Sequence, residues 1–361
     1  MNTLFKFNSV GFGLFYSGLI MNNKSVYSFA YDCGGVKSLA KKRIIEFSAN
    51  VFSLNAPISS TNVAVHKKPT LNMLVISHLH MDHISGIDEI YNNFDVEKVY
   101  LPYILSSEIT YYLLYLAIIN GPNSYKIYQK IDELYAKKDE EAIIIKNSNA
   151  LSLIQSDWHF VFFNQHISDQ DMQNYMSPIN KILKNNGIES FENLIYNSDP
   201  KTITQIQQAL KHCKIKDINV TSLTLMHYPE NSNASLFIVN SETYLGHKNL
   251  IPNSKTDKVK QKNITLLTGD ALYSPTTQNQ IYSYLNNDSR KAVLQVPHHG
   301  SYKNWDSLGQ NVKKDFQYYV ISASYTIRYN LPDSQVLNEI LEFKKYPTLV
   351  HQFQGFAYQV K

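Results

Sequence analysis

The sequence predicts an α/β protein on three observations. Short segments of alternating apolar and polar residues occupy both ends of the chain, and helical patterns with one apolar face lie among them. An apolar strand ending at Ser77 also runs through a histidine cluster directly into a helical spacing. With 361 residues and 43% hydrophobic content, the chain can bury a large core. No repeat, low-complexity linker or shift in composition divides residues 1–361, which read as a single domain.

In order, LFKFNSV, GLFYSGLIM and VYSFAYDCGG read as strands. The last closes on Asp32 before Cys33, Gly34 and Gly35, where glycine permits a tight turn with positive φ. Residues 37–49 read as an amphipathic helix. Ile84, Ile87 and Ile90 predict another over about 83–94, followed by a strand at 98–104. SSEITYYLLYLAIIN has the start signal and apolar run of a buried helix, and SYKIYQKIDELYAKK (124–138) has a charged face. EAIIIKN and WHFVFFN (158–164) read as strands. Polar helical patterns then fill 167–217, with Pro200 after Asp199 marking one helix start. Segments 105–140 and 167–217 thus read as helical insertions. Beyond them lie strand patterns at 221–229, ENSNASLFIVN, ITLLTGD, KAVLQVPHHGS and DFQYYVISASY. A helix near Asp333–Lys345 and a strand pair around PTLVHQFQGFAYQV close the chain. Asn253–Asn263 reads as an exposed loop whose Lys255, Lys258, Lys260 and Lys262 are either solvated or in contact with a phosphate backbone.

The formal net charge of +4 permits a nucleic-acid partner without requiring one. Two distant cysteines, Cys33 and Cys213, exclude a disulfide framework or a cysteine-based zinc site and fit a reducing compartment. No stretch approaches ~18 apolar residues free of charge, and the N-terminus lacks the core and cleavage site of a signal peptide. The expectation is a cytoplasmic protein without membrane association.

The chemistry concentrates at LVISHLHMDHISGIDEI. His78, His80, Asp82 and His83 fall within six residues of a chain that holds 12 histidines. In an extended chain residues i and i+2 point the same way, so His78 and His80 leave the strand end side by side. The turn into a helix brings Asp82 and His83 round from another direction. Imidazole and carboxylate donors suit zinc, manganese or iron, and two groups of donors suit two ions. Two later strand ends carry the same residue types: Asp270 in LLTGD, and His298 and His299 in VPHHGS. His66, His159, His166, His212, His247 and His351 lack such spacing and read as structural or surface residues. His227, inside a strand pattern, reads as a packed core residue.

The pattern His-x-His-x-Asp-His after an apolar strand resembles the metallo-β-lactamase superfamily. That resemblance implies a four-layer αββα sandwich, here with helical insertions, holding two divalent ions, zinc or manganese. It implies His78 and His80 on the first ion, Asp82 and His83 on the second, and Asp270 bridging both. His299 would be the last ligand with His298 lining the site, although the reverse stays open. Asp32 would buttress the histidine loop from outside, since ligating histidines need a partner for the other ring nitrogen; an ordinary strand-end aspartate is the alternative. NASLFIV, LLTGD, VPHHGS and the tail VISASYTIRYNLPDSQVLNEI…QFQGFAYQV are more similar to one branch, the hydrolase domain of competence-type DNA-uptake channels (ComEC/Rec2-like), from about residue 8 to the C-terminus. That family's transmembrane channel is absent here. One departure stands out. Where many members give a third histidine to the first ion, this chain has Asn231, beside the ion rather than on it. The first site would then be weak or exchangeable unless His227 swings in.

A metal-dependent hydrolase follows. The ions would bring the pKa of water toward ~7 and make hydroxide available at neutral pH. Asp82 would orient the water or take its proton, and His298 or Ser301 would help stabilise developing charge. A helix beginning near His83 would aim its positive end at an anionic substrate. With the competence-type resemblance, this makes a phosphodiesterase or nuclease the leading reading, with nucleic acid or another phosphodiester as substrate and room for an activating protein partner. The alternatives are a hydrolase of a small carboxylic ester, lactone, amide or thioester, and a degenerate metal-binding scaffold that recruits a partner protein.

Overall fold

The computed structural model of the protein describes residues 2–22, 25–55, 67–105, 107–138, 140–145, 151–155, 157–164, 167–196, 199–211, 221–230, 234–239, 263–286, 291–324 and 330–361. The first half holds β1 (Asn2–Phe7), β2 (Tyr16–Met21), β3 (Val26–Tyr31), α1 (Lys37–Asn55), β4 (Thr70–Leu71), β5 (Met73–Val75), α2 (Met81–Ile84), α3 (Ile87–Asn93), β6 (Asp95–Val96), β7 (Val99–Pro102), α4 (Ile109–Asn120), α5 (Tyr125–Ala136), β8 (Ala142–Ile145), β9 (Leu151–Gln155) and β10 (Trp158–Phe163). The second holds α6 (Asp169–Asn185), α7 (Phe191–Tyr196), α8 (Pro200–Lys211), β11 (Thr224–Pro229), β12 (Leu236–Val239), β13 (Ile264–Leu267), α9 (Pro275–Asn286), β14 (Lys291–Gln295), α10 (Tyr302–Ser307), α11 (Gln310–Lys313), β15 (Tyr318–Ser322), α12 (Ser334–Glu342), β16 (Pro347–Val350) and β17 (Phe356–Val360).

Two mixed sheets carry the fold. The first has the order β12-β17-β1-β2-β3-β5-β7-β8, and the second β16-β15-β14-β13-β11-β10-β9. Each is antiparallel on one side and parallel on the other: β3, β5, β7 and β8 run parallel in the first sheet, and β13 to β16 in the second. The two-residue period of a strand sets the layers. Phe29 and Tyr31 of β3, Met73 and Val75 of β5, and Phe160 and Phe162 of β10 meet in one core between the sheets. Their neighbours Ala30 and Leu74 face a second core beneath α1, α3, α4, α5 and α6. Val161 and Phe163 face a third, which Ile281 of α9, Trp305 of α10 and Val336 of α12 complete. Three cores between four layers make the αββα sandwich expected from the sequence.

Several elements differ from their sequence reading. The single helix expected at 83–94 is broken into α2 and α3 around Gly86, where a Cβ would collide with the Cys33 carbonyl oxygen. Strand β9 and helix α9 were not anticipated, because β9 is only five residues long and the polar residues of α9 mask its period. β16 and β17 do not pair with each other; they join different sheets. The helices at 105–140, read as an insertion, form the crossover that parallel strands β7 and β8 require. Of the other stretch, read as an insertion at 167–217, helices α6 to α8 leave the second sheet between β10 and β11, yet Met172, Met176 and Leu210 pack into the helix layer over the first sheet. Of the loop at Asn253–Asn263, only Asn263 is among the described residues; it is buried, and its Nδ2 donates to the Ala234 carbonyl at 2.7 Å. Lys255, Lys258, Lys260 and Lys262 lie outside the described residues, as do His66, His166, His212, His247 and Cys213. Among the described residues no helix is long and apolar enough to cross a membrane.

The layer of α10 to α12 is pinned by one buried cation. Lys313 is 1% exposed, sits 4.9 Å from the Trp305 ring centre and pairs with Glu339 at 2.9 Å. Glu339 also accepts from Trp305 Nε1 at 2.7 Å. Glu339→Ala strands the ammonium in an apolar layer, so a loss of about 3 kcal/mol in unfolding free energy is expected by denaturant titration. A loss below about 1 kcal/mol would show that Lys313 reaches water.

Candidate metal centre

Every candidate donor follows the C-terminal end of a strand in the parallel half of a sheet, the edge where open α/β sheets present their sites. His78 to His83 follow β5, Asp270 follows β13, and His298 and His299 follow β14. The first loop is clamped from behind. Leu14 N–H donates to the Asp82 carbonyl at 3.0 Å and Cys33 N–H to that of His83 at 2.8 Å. Gly13 and Gly34 press on this backbone so closely that a Cβ on either would strike the Asp82 carbonyl. The LLTGD turn is held by Gln295, whose Oε1 accepts from the Thr268 and Gly269 N–H groups at 2.7 and 2.8 Å.

The histidines are oriented by what holds their Nδ1 atoms. For His83 this is Asp32 Oδ2 at 2.7 Å, and the same carboxylate accepts from Ser77 N–H and Ser77 Oγ, each at 2.7 Å. Ser77 Oγ lies 3.0 Å from His78 Nδ1. His299 Nδ1 donates to the Ser322 carbonyl at 2.8 Å, and His298 Nδ1 meets Asn304 Oδ1 at 2.9 Å. Asn304 uses its Nδ2 on the carbonyls of Asp270 and Ala271, so its oxygen faces the imidazole and His298 donates. A neutral ring held this way carries its lone pair on Nε2, pointing toward the other rings.

Two donor groups result. The ligand atoms of His78, His80 and Asp270 lie within 4.8 Å of one another, and so do those of Asp82, His83 and His299. Asp270 Oδ2 is 3.5 Å from His78 Nε2, while Asp270 Oδ1 is 3.3 Å from His83 Nε2. The carboxylate therefore turns one oxygen to each group. His299 Nε2 is 3.0 Å and His83 Nε2 3.7 Å from Asp82 Oδ2. Donors around a tetrahedral ion at ~2.1 Å stand ~3.4 Å apart, so the three longer separations suit ligands better than direct hydrogen bonds, while the 3.0 Å approach of His299 to Asp82 also makes a hydrogen bond.

The residues present fit divalent ions. His78 Nε2, His83 Nε2 and Asp270 Oδ1 are buried with no hydrogen-bond partner, which is costly unless something electropositive lies between them. Three carboxylates, Asp32, Asp82 and Asp270, converge here, and among the described residues no lysine or arginine pairs with them. Burial pushes Asp82 and Asp270 toward the neutral acid, but the charge of neighbouring histidines outweighs it and holds both well below the usual carboxylate range. Burial, with His83 beside it, keeps His78 neutral far below the usual imidazole value. Burial alone lifts Asp32, with His83 and Ser77 opposing it.

The sequence readings fare unevenly. His78, His80, Asp82, His83, Asp270 and His299 come together, Asp32 contacts His83, and both members of the His298–His299 pair face the centre. Ser301 opens α10, and among the described residues no hydrogen bond ties its hydroxyl to these donors. Asn231 lies outside the described residues. The helix after the cluster, α2, is four residues long, too short to direct a useful dipole at a substrate. Gln295, Asn304 and Ser322 were not anticipated, and no spacing signals them. Phe12 was also missed: between Gly11 and Gly13, both at positive φ, its ring lies 4.1 Å from that of His299. The Gly-Phe-Gly triplet was the available sign.

His227 is not a donor. Trp158 Nε1 gives its proton to His227 Nδ1 at 3.0 Å, so Nε2 carries the hydrogen and donates to Tyr16 Oη at 2.8 Å. Burial takes its pKa down to about 3, fixing the ring neutral. His227→Leu is expected to cost about 2 kcal/mol in thermal unfolding, from an unpaired Trp158 Nε1 and a Tyr16 hydroxyl left with Tyr358 alone, while the metal content of the protein stays the same. Loss of an ion in that variant would reverse the assignment.

No protein-family model matches the sequence, and no curated protein matches it. Solved structures share an overall similarity. The metallo-β-lactamase fold protein YhfI from Bacillus subtilis aligns over 99% of each chain at 10% identity, with a TM-score of 0.42. Unliganded yeast PDE1 aligns over 99% of each chain at 9% identity and 0.40. MEM-A1, a subclass B3 metallo-β-lactamase from a soil metagenome library, aligns over 78% of this chain and 71% of its own at 10% identity and 0.30. The fold assignment rests on the layers and strand order described above.

Proposed function

We propose that this chain is a metal-dependent hydrolase of phosphodiester bonds, with nucleic acid as the leading substrate class. The observation that carries the hydrolase reading is Asp270, whose two carboxylate oxygens face two separate sets of imidazole and carboxylate donors. Bound there, two divalent ions would supply Lewis acidity, lower the pKa of water and clamp the oxygens of an in-line displacement. The chain's own groups do the rest. The side chains of Asp82 and His298 are 26% and 28% exposed, whereas those of His78, His83, Asp270 and His299 are 4% or less, so substrate enters past the former pair. Asp82, ionised and held by His299, is placed to orient the attacking water at that mouth and to receive its proton.

The phosphodiester reading fits the charge of the pocket, which is acidic by its own side chains and would present positive charge to an anionic group once ions are bound. The similarity of LLTGD, VPHHGS and the C-terminal tail to competence-type hydrolase domains points the same way. The test is a substrate panel on protein loaded with zinc or with manganese: bis(p-nitrophenyl) phosphate, single- and double-stranded DNA, RNA, p-nitrophenyl acetate, a lactone and a thioester. Phosphodiester cleavage that Asp82→Ala and His83→Ala abolish is expected. Turnover of the carboxylic substrates alone would move the reading to that class, and a protein carrying two ions that cleaves none of them would favour the partner-recruiting scaffold.

A further inference from the structure

We propose that His298 is a ligand of the ion held by His78, His80 and Asp270, completing a four-donor site; this rests on the dinuclear reading above. Three protein donors leave an ion of this kind one short of a closed tetrahedral shell. Of the described histidines in this region, His227 spends both ring nitrogens on Trp158 and Tyr16, and His299 belongs with Asp82 and His83. His298 remains. Its Nε2 lies 3.4 Å from Asp270 Oδ2, the same oxygen that His78 Nε2 approaches to 3.5 Å. Each imidazole thus stands off the same carboxylate oxygen at the separation expected of a pair of ligands on one metal.

The ring is built into this position. Asn304 accepts the Nδ1 hydrogen bond, which turns Nε2 toward Asp270, and is anchored in turn to the Asp270 and Ala271 carbonyls, so His298 and Asp270 are set against each other through one side chain. His298 and His299 both hold left-handed backbone, at φ 48° and 55°. Two consecutive residues of this kind are strained outside glycine. The strain turns successive side chains, which would otherwise diverge, into the same centre: Nε2 of His299 reaches Asp82 and Nε2 of His298 reaches Asp270. A histidine that only lined the mouth would need neither the Asn304 anchor nor this backbone.

The experiment measures metal stoichiometry and affinity, independent of any substrate. Wild type, His298→Asn, His299→Asn, His80→Ala and the double variant His298→Asn/His80→Ala are loaded with cobalt(II), dialysed, and followed by elemental analysis and visible absorption. Asparagine tolerates left-handed backbone, so the fold is kept, and near-ultraviolet circular dichroism checks it. Two ions per wild-type chain are expected, and one in His298→Asn, with its partner ion's absorption unchanged. His80→Ala should lose the same ion, the double variant should lose no more, and added imidazole should restore the second equivalent to His298→Asn. Two ions retained in His298→Asn with affinities within about twofold of wild type would overturn the ligand role while leaving the dinuclear reading intact. Fewer than two ions in the wild type would overturn both.

Discussion

Asp270→Asn is expected to abolish turnover and to strip the protein of at least one of the two ions that its donor groups would hold. The substitution keeps the shape of the side chain and replaces one oxygen with an NH2 group, which cannot ligate. At this position that exchange is severe, because Oδ2 faces His78 and His298 while Oδ1 faces His83. Whichever way the amide turns, one donor group meets a hydrogen where it had a lone pair. The negative charge that balances the ions is lost as well, inside a pocket where Asp270 is 2% exposed. A fall in kcat/KM of at least ~1,000-fold, or roughly 4 kcal/mol of transition-state stabilisation, is expected. Kinetics with elemental analysis on the same sample would check it. Turnover within tenfold of wild type, or two ions retained, would show that Asp270 does not bridge.

The second large effect is expected at a residue outside the donor set. Asp32 is fully buried at the end of β3 with φ 55°, and its carboxylate receives the His83 ring and both polar groups of Ser77. Asp32→Asn leaves the hydrogen bonds countable but removes the charge that makes His83 a strong donor and offers it an NH2 group in one orientation. Partners of this kind are worth about 10–100-fold in metal affinity. The ion on Asp82, His83 and His299 should therefore weaken by that factor in a chelator competition. The ion on His78 and His80 should change less, since Asp32 reaches His78 only through Ser77. Equal weakening of both, or of neither, would contradict the hydrogen-bond chain from Asp32 through Ser77 to His78.

Much of the donor set was legible in the sequence because donors at strand ends carry their own spacing. His78 and His80 alternate two residues apart just beyond the end of β5 at Val75, and Asp270, His298 and His299 each follow an apolar run. The αββα layering was accessible only through the resemblance, since no local pattern says that the strands divide between two sheets. β16 and β17 illustrate the point: they read as neighbours and belong to opposite sheets. The orienting residues were least legible. Gln295, Asn304 and Ser322 act through a single amide or carbonyl, and such groups have no period. The broken helix at Gly86 was hidden for a related reason, because the isoleucine spacing continues across the break.

The donors come from both sheets: His78 to His83 from the first, Asp270, His298 and His299 from the second. Ions bound among them would act as cross-links between the two halves of the sandwich, closing a loop of the chain from residue 78 to residue 299 much as a covalent tether would. Occupancy then couples to folding by mass action, adding about 2.7 kcal/mol per ion at a free concentration 100 times its dissociation constant, provided the unfolded chain does not bind it. The aromatic core between the sheets, Phe5, Phe29, Trp158 and Tyr358 among it, would be held shut at one edge by the same atoms that perform the chemistry. Starvation for metal would loosen the fold as well as silence the site.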